Sequence, residues 1–347
     1  MISYIIRRSL QIIPTLLVVI TFLFFLLSAL PGDVALLAGN PRMQDAGPEV
    51  LEELREEWGL NRPLHIQYFD YLTDLFRGDL GYSFRSQEKV AVLIGHRIVP
   101  TVQLALLAGA VSLSLGVILG FLAAIFHGTL IDFFLMIVAV VGISAPSFWI
   151  GVILMYVFAV TFSLLPPSGY GSIYNLILPT LALAIRHSAL IARTTRASVL
   201  DIIKEDYVRT ARAKGISEIA LNVKHVFRNA ILPIMTIGGL EVGTIFAGTI
   251  IIEKLFSWPG LGNLLINSVT KRDIPTAQGA VLVYFSVFIF VNFFTDIMYA
   301  YADPTITYDY GHDKKQTADN RFIDRNLNRT TCAICPFHCP LPPDQRY

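Results

Sequence analysis

The chain has 347 residues, of which 54% are hydrophobic and only 15% charged, more apolar surface than one water-soluble core requires. Such a composition belongs in a bilayer, and a net charge of +1 excludes the basic excess of a nucleic-acid binder. The three cysteines, Cys332, Cys335 and Cys339, all fall in the last sixteen residues, so no disulfide framework supports the body of the chain.

In chain order, Arg7-Arg8 precedes an uncharged run, Ser9 to Leu30. At about 1.5 Å per residue it is long enough to cross a hydrocarbon core of about 30 Å. A signal peptide is the alternative, but the run exceeds the roughly 7–15 apolar residues of one, and Leu30-Pro31-Gly32-Asp33 is a poor small-residue cleavage site. Residues 31–99 form the largest hydrophilic insert, expected to be a small helical region outside the membrane, with Pro48 to Leu60 as its clearest amphipathic helix. Its acidic run Glu52, Glu53, Glu56 and Glu57 is either a docking face for a binding protein or a solvated helix face.

Five more segments are apolar enough to span: Pro100–Phe126, Phe133–Phe162, Ile173–Ala192, Ile231–Ile252 and Gly279–Tyr301. The loop Arg193–Asn229 holds eight Lys/Arg against four acids, whereas Ser163–Ser172 carries no charge. The positive-inside rule therefore places the basic loop, and both termini, in the cytoplasm, with six crossings and the insert outside. Pro146, Pro179, Gly238-Gly239 and Gly243 lie within spans as hinges or as sites of close packing, and Gly109, Gly116 and Gly120 suit packing.

Glu241 lies ten residues into the fifth span, and Arg186 and His187 in the inner half of the fourth. A carboxylate at that depth costs a few kcal/mol unless it faces the bundle interior, water or a partner. The three residues are expected to line or gate a translocation path; the alternatives are a structural ion pair, or Arg186 snorkelling toward the cytoplasm.

Between the fourth and fifth spans, K-E-D-Y-V-R-T-A-R-A-K-G (Lys204 to Gly215) carries helix-period charge and ends in a glycine suited to a helix stop. It resembles the coupling loop of bacterial ABC-importer permeases, Glu-Ala-Ala, three residues, Gly, then Leu-Pro. Arg209, Thr210, Ala211 and Gly215 stand at those positions, with Leu232-Pro233 following. Arg209 and Thr210 depart from the general pattern, in the manner of the dipeptide, oligopeptide and nickel branch. The double arginine, Pro14 and Pro31-Gly32-Asp33, the Asp79-Leu80-Gly81-Tyr82-Ser83 turn, and Phe256-Ser257-Trp258-Pro259-Gly260-Leu261-Gly262 followed by Arg272-Asp273 resemble the same branch, over residues 1–308. Phe256 and Trp258 are expected as interfacial anchors, and Leu261 to Val269 as a helix on the outer surface.

The resemblance implies an all-α integral membrane protein with the six-helix type-1 ABC importer permease fold and a core over 100–302. It implies coupling to ATPase subunits through Glu205, Asp206, Tyr207, Arg209, Ala211, Ala213, Lys214 and Gly215. A second homologous permease, two ATP-binding subunits carrying ATP and Mg, and an extracytoplasmic solute-binding protein are the implied partners, in a bacterial inner membrane. Short peptides are the favoured cargo, with nickel or metal chelates next.

No phosphate-cradling G-x-x-x-x-G-K-[ST], H-E-x-x-H or G-x-S-x-G occurs, so no enzymatic chemistry and no bound cofactor are expected on this chain. An ATP-independent transporter or channel is the reading from another class; it has no use for the coupling run. Residues 303–347 read as a polar, disordered cytoplasmic tail. There Cys332, Cys335, His338 and Cys339 are either a metal site or incidental.

Overall fold

The computed structural model describes residues 2–29 and 48–302. The Pro31-Gly32-Asp33 motif, residues 303–347 and the Cys332, Cys335, His338 and Cys339 among them lie outside the described residues. The described chain is helical apart from loops and an isolated antiparallel bridge between Tyr82 and Lys89. Five helices are long and apolar enough to cross a membrane, and a bent pair makes a sixth.

Helix α1 (Ile2–Ser28) stands at the side of the bundle and turns Leu10, Ile13, Val18 and Phe22 outward, a surface suited to lipid. In the insert, α2 (Pro48–Glu57) and α3 (Leu64–Phe76) are amphipathic. The first pairs Arg55 with Glu52 at 2.7 Å, and Glu52 also accepts from Asn61, so the acidic run is partly tied into its own loop. The second leans on α1, where Tyr68 and Tyr71 contact Phe24 and the Tyr68 hydroxyl lies 2.7 Å from that of Thr21. Burial pushes the Tyr71 phenol up to about 12.

The second span is longer than its apolar run indicates. Helix α4 (Val90–Ile125) starts ten residues before Pro100 and passes through that proline. Its first turns are buried: Val90 and Ile94 pack with Leu261 and Tyr284, which supply the packing that the local sequence does not announce.

The third span is not straight. Helices α5 (Leu130–Ser144) and α6 (Ser147–Leu154), the latter continued by a π-helical turn Met155–Thr161, meet at a bend of 110°. Ala145 is extended, as a residue before proline prefers, and Pro146 has no N–H to continue the ladder.

Helix α7 (Ile173–Ile203) overruns the expected fourth span by eleven residues, so Arg193 and Arg196, counted above in the loop, lie on it. At about 1.5 Å per residue it is roughly 46 Å long, well beyond a hydrocarbon core. The chain then forms α8 (Asp206–Ala213) and a short helical connection through a π-turn Leu221–Val226. Helices α9 (Phe227–Leu255), α10 (Leu261–Thr270) and α11 (Ile274–Ala302) complete the order.

Helices α4, α7 and α9 enclose the main core, in which Leu104, Leu178, Leu183, Ile245, Phe246 and Ile252 are essentially inaccessible. Small residues set their spacing. A Cβ on Gly116 would stand 2.6 Å from that of Ile191, and one on Gly120 would run into the Ala192 carbonyl. Without these glycines α4 and α7 could not approach so closely.

Candidate functional site

Polar constructions sit in this apolar frame at each end and in the middle. At the first end is α8. Val208 is its only fully buried residue and anchors it in a cluster with Val199, Leu221, Val226 and Ala230. Ala211 is half-buried against the same cluster, so its small side chain lets α8 lie close to its own bundle. Glu205, Asp206, Tyr207, Arg209, Ala213 and Lys214 are exposed on the other side. Gly215, at φ +80°, ends the helix in the left-handed region, and the next N–H, of Ile216, returns to the Ala211 carbonyl. Three bonds brace the knob: Arg212 donates to Glu218 through Nε at 2.5 Å and Nη2 at 3.1 Å, and Asn229 donates to the Tyr207 hydroxyl at 2.7 Å. The ion pair holds the Glu218 carboxyl below its ordinary range and Arg212 above its own.

Beside this knob the sequence reading missed a buried ion pair. Asp132, in the first turn of α5, accepts from Arg196 Nε at 2.6 Å and Nη2 at 2.7 Å, and from the Gly128 N–H at 3.0 Å. His127 Nδ1 lies 3.1 Å from the same carboxylate. The α4–α5 corner is thereby fastened to α7 about two turns before that helix ends. The available signal was a single aspartate opening an otherwise apolar run.

In the middle of the bundle, the expected residues come together with different roles. His187, buried, pairs through Nδ1 with Oε2 of Glu241, and the Thr244 hydroxyl donates to the same oxygen at 3.2 Å. Arg186, by contrast, is exposed and makes no hydrogen bond to that carboxylate. The reason is helical geometry: neighbours in sequence point about 100° apart, so only one of the two faces α9.

At the opposite end, Glu253 is fully buried and also escaped the sequence reading. Its carboxylate accepts from the Thr101 hydroxyl at 2.6 Å and from the N–H groups of Gly262 and Asn263 at 2.7 and 3.1 Å. These are the orphan donors at the start of α10, where negative charge is favoured. Gly260 is required here: a Cβ would overlap the carboxylate. Phe256 and Trp258, expected at the membrane interface, are instead buried in the main core, and Trp258 Nε1 donates to the Pro100 carbonyl at 3.0 Å. Helix α10, expected on the outer surface, begins buried, with Leu261 and Gly262 inside. A satisfied indole N–H makes a deep position as good for Trp as an interface. Just beyond the other end of α10, the Asp273 carboxylate accepts from the Ser83 hydroxyl at 2.6 Å and the Phe84 N–H at 3.0 Å. The Asp79–Ser83 turn and the Arg272-Asp273 pair, read separately in the sequence, are thus one structure.

Among the described residues no group of three His, Cys, Asp or Glu is placed to hold a metal ion. The geometry is that of a polar knob at one end, a braced closure at the other, and ionisable groups between. Residues 116–308 match the family described as the binding-protein-dependent transport system inner membrane component, and residues 1–105 match its N-terminal family. The chain belongs to this family. It is a permease subunit of an ABC importer. The glutathione transport system permease protein GsiC of Salmonella typhimurium is 40% identical over 308 residues, 89% of this chain and 100% of that protein. GsiC of Escherichia coli K12 is 41% identical over the same shares. Among solved structures, the MetNI methionine ABC transporter in an inward-facing conformation aligns over 61% of this chain and 97% of its own, with TM-score 0.53 and 14% identity. This last likeness concerns the fold alone and agrees with a type-1 permease core. Membership makes this permease a multi-pass membrane protein that works with ATPase and solute-binding partners.

Proposed function

We propose that this permease forms half of the translocation path of an importer for short peptides, with α8 as the handle gripped by an ATPase subunit. The observation that carries the reading is the construction of α8. One buried valine fixes it to the bundle, while its charged face, from Glu205 to Lys214, is left open. Such a knob transmits force because it cannot move without α7 and α9.

In this reading ATP and Mg reside on two ATPase subunits, whose closure draws two such knobs together. The attached helices then shift between inward- and outward-open states, a population shift driven by a ligand that favours one state. One chain has one knob, so a second, homologous permease supplies the other. The excess of Lys/Arg around α8 supports a cytoplasmic position for that end, for both termini and for the N-terminal Arg7-Arg8, with the insert and the Glu253 closure outside. An extracytoplasmic receptor delivers the solute there. Peptide cargo is supported by the relatives, which are permeases for glutathione, itself a small peptide.

The test is reconstitution. The complex of both permeases and both ATPases, supplied with its receptor, is expected to accumulate short peptides in vesicles only when ATP is present. Replacing Asp206–Gly215 by a Gly/Ser linker is expected to abolish co-purification of the ATPases. Uptake by this subunit alone would overturn the proposal.

A further inference from the structure

The middle of the bundle holds more than a structural pair. Arg186 and Thr244 are exposed, as is Leu240 beside them on α9, while His187 is 3% and Glu241 14% exposed. Arg186 lies thirteen residues from the start of α7 and Glu241 eight from the start of the apolar stretch Pro233–Leu255. At about 1.5 Å per residue both are well inside the hydrocarbon zone. An exposed guanidinium at that depth is costly against lipid tails, which favours a polar space or a partner surface beside this face of α7 and α9.

Glu241 divides its two oxygens between two tasks. Oε2 is committed to His187 and to the Thr244 hydroxyl. Oε1 has no hydrogen-bond partner among the described residues, and it is not sealed in, unlike the buried hydroxyls of Thr180, Thr195 and Thr276. His187 fixes the carboxylate from behind and leaves one acceptor facing the opening. An ionised carboxylate only accepts, so its complement is a donor, and at this depth a cationic one is favoured. Arg186, exposed and adjacent in sequence to His187 on α7, would repel a plain cation and attract an anion. A solute with an ammonium at one end and a carboxylate at the other satisfies both.

We infer that Glu241 and Arg186 form a transit site for zwitterionic solutes, the ammonium on Glu241 Oε1 and the carboxylate on Arg186, with His187 and Thr244 as positioning residues. The inference rests on the importer reading and narrows its cargo to short peptides with free ends.

The test uses the assembled complex of both permeases and ATPases in detergent, receptor left out, with saturation-transfer NMR to detect weak binding. Three probes are compared: Ala-Ala, its N-acetylated form and its C-terminal amide. The wild-type complex is expected to show at least a threefold weaker signal for each blocked form. Glu241→Gln should remove the penalty of acetylation and leave that of amidation; Arg186→Gln should do the reverse. His187→Gln should keep both preferences, because the carboxylate remains. The inference is overturned if the wild-type complex does not distinguish the probes, or if the acetylation penalty survives Glu241→Gln. It is also overturned if His187→Gln and Glu241→Gln act identically, which marks a pair that is only structural. Should Glu241→Gln fail to assemble, the wild-type comparison and Arg186→Gln still decide. ATP-driven uptake by wild-type vesicles separates the two readings: its absence sinks the importer, whereas its presence without end-group preference sinks only this site.

Discussion

The Ser83 hydroxyl donates to Asp273 Oδ2 at 2.6 Å across 190 residues of sequence, joining the insert to the connection between α10 and α11. Asp273 is buried and serves two donors, so Asp273→Ala leaves the Ser83 hydroxyl and the Phe84 N–H without an acceptor. The expected loss is roughly 2–3 kcal/mol, against about 1 kcal/mol for Ser83→Ala. Thermal unfolding of the purified complex measures both, and limited proteolysis should show the segment 84–89 opened in the first variant only.

Glu253 and Gly260 form a lock in which one residue makes room for the other. Gly260→Ala places a methyl where the carboxylate sits, and Glu253→Gln presents an amide to N–H groups that need an acceptor. Both are expected to destabilise the closure by about 2–4 kcal/mol. The check is cysteine labelling at Leu264, half-buried in the native state, which should accelerate in both variants. A Gly260→Ala protein that labels at the wild-type rate would show that the carboxylate is seated elsewhere.

The Asp132–Arg196 pair predicts non-additivity. Asp132→Ala or Arg196→Ala alone strands a charge of which little is exposed and is expected to cost roughly 3 kcal/mol. The double variant Asp132→Leu with Arg196→Met should recover at least half of that loss. Thermal melts of the four proteins close the cycle, and strict additivity would mean that the two side chains do not depend on each other.

The proposed coupling role of α8 predicts that a hidden residue matters more than visible ones. Val208→Glu forces a carboxylate into the cluster beneath α8 and should abolish ATPase co-purification, although Val208 is itself inaccessible. Gly215→Ala, strained at φ +80°, should weaken the helix stop by about 1 kcal/mol. Because Arg212 lowers the Glu218 carboxyl, the brace between them persists at neutral pH and is lost only on acidification through that lowered value. Pull-down of ATPase subunits should therefore be stronger for the wild type than for Arg212→Ala at neutral pH, and should fall to the level of the variant only on acidification through that lowered value.

Gly120→Leu tests the approach of α4 to α7. The side chain has no room against Ala192 and Thr195, and the two helices are expected to part, with loss of assembly seen by size-exclusion chromatography. Gly128→Ala, in open space but at φ +78°, should cost only about 1 kcal/mol and assemble normally.

Much of this permease was legible in one dimension. Apolar runs of about 20 residues can only be spans, and the glycine-terminated charged run Lys204–Gly215 could only be a short exposed helix. The glycines Gly116 and Gly120 read correctly as packing sites, because their role depends on size alone.

Composition and local period determined that the chain is a helical membrane bundle and where its knob lies, since both follow from hydropathy and from neighbours within a turn or two. Only the tertiary structure decided that His187 rather than Arg186 holds Glu241, that Trp258 is a core residue, that Asp132 belongs to Arg196, and that Ser83 answers Asp273. Each of these partnerships joins residues 54 to 190 positions apart. A polar group in an apolar run announces that it needs a partner, but the partner is chosen by helix rotation and packing, which no local pattern encodes.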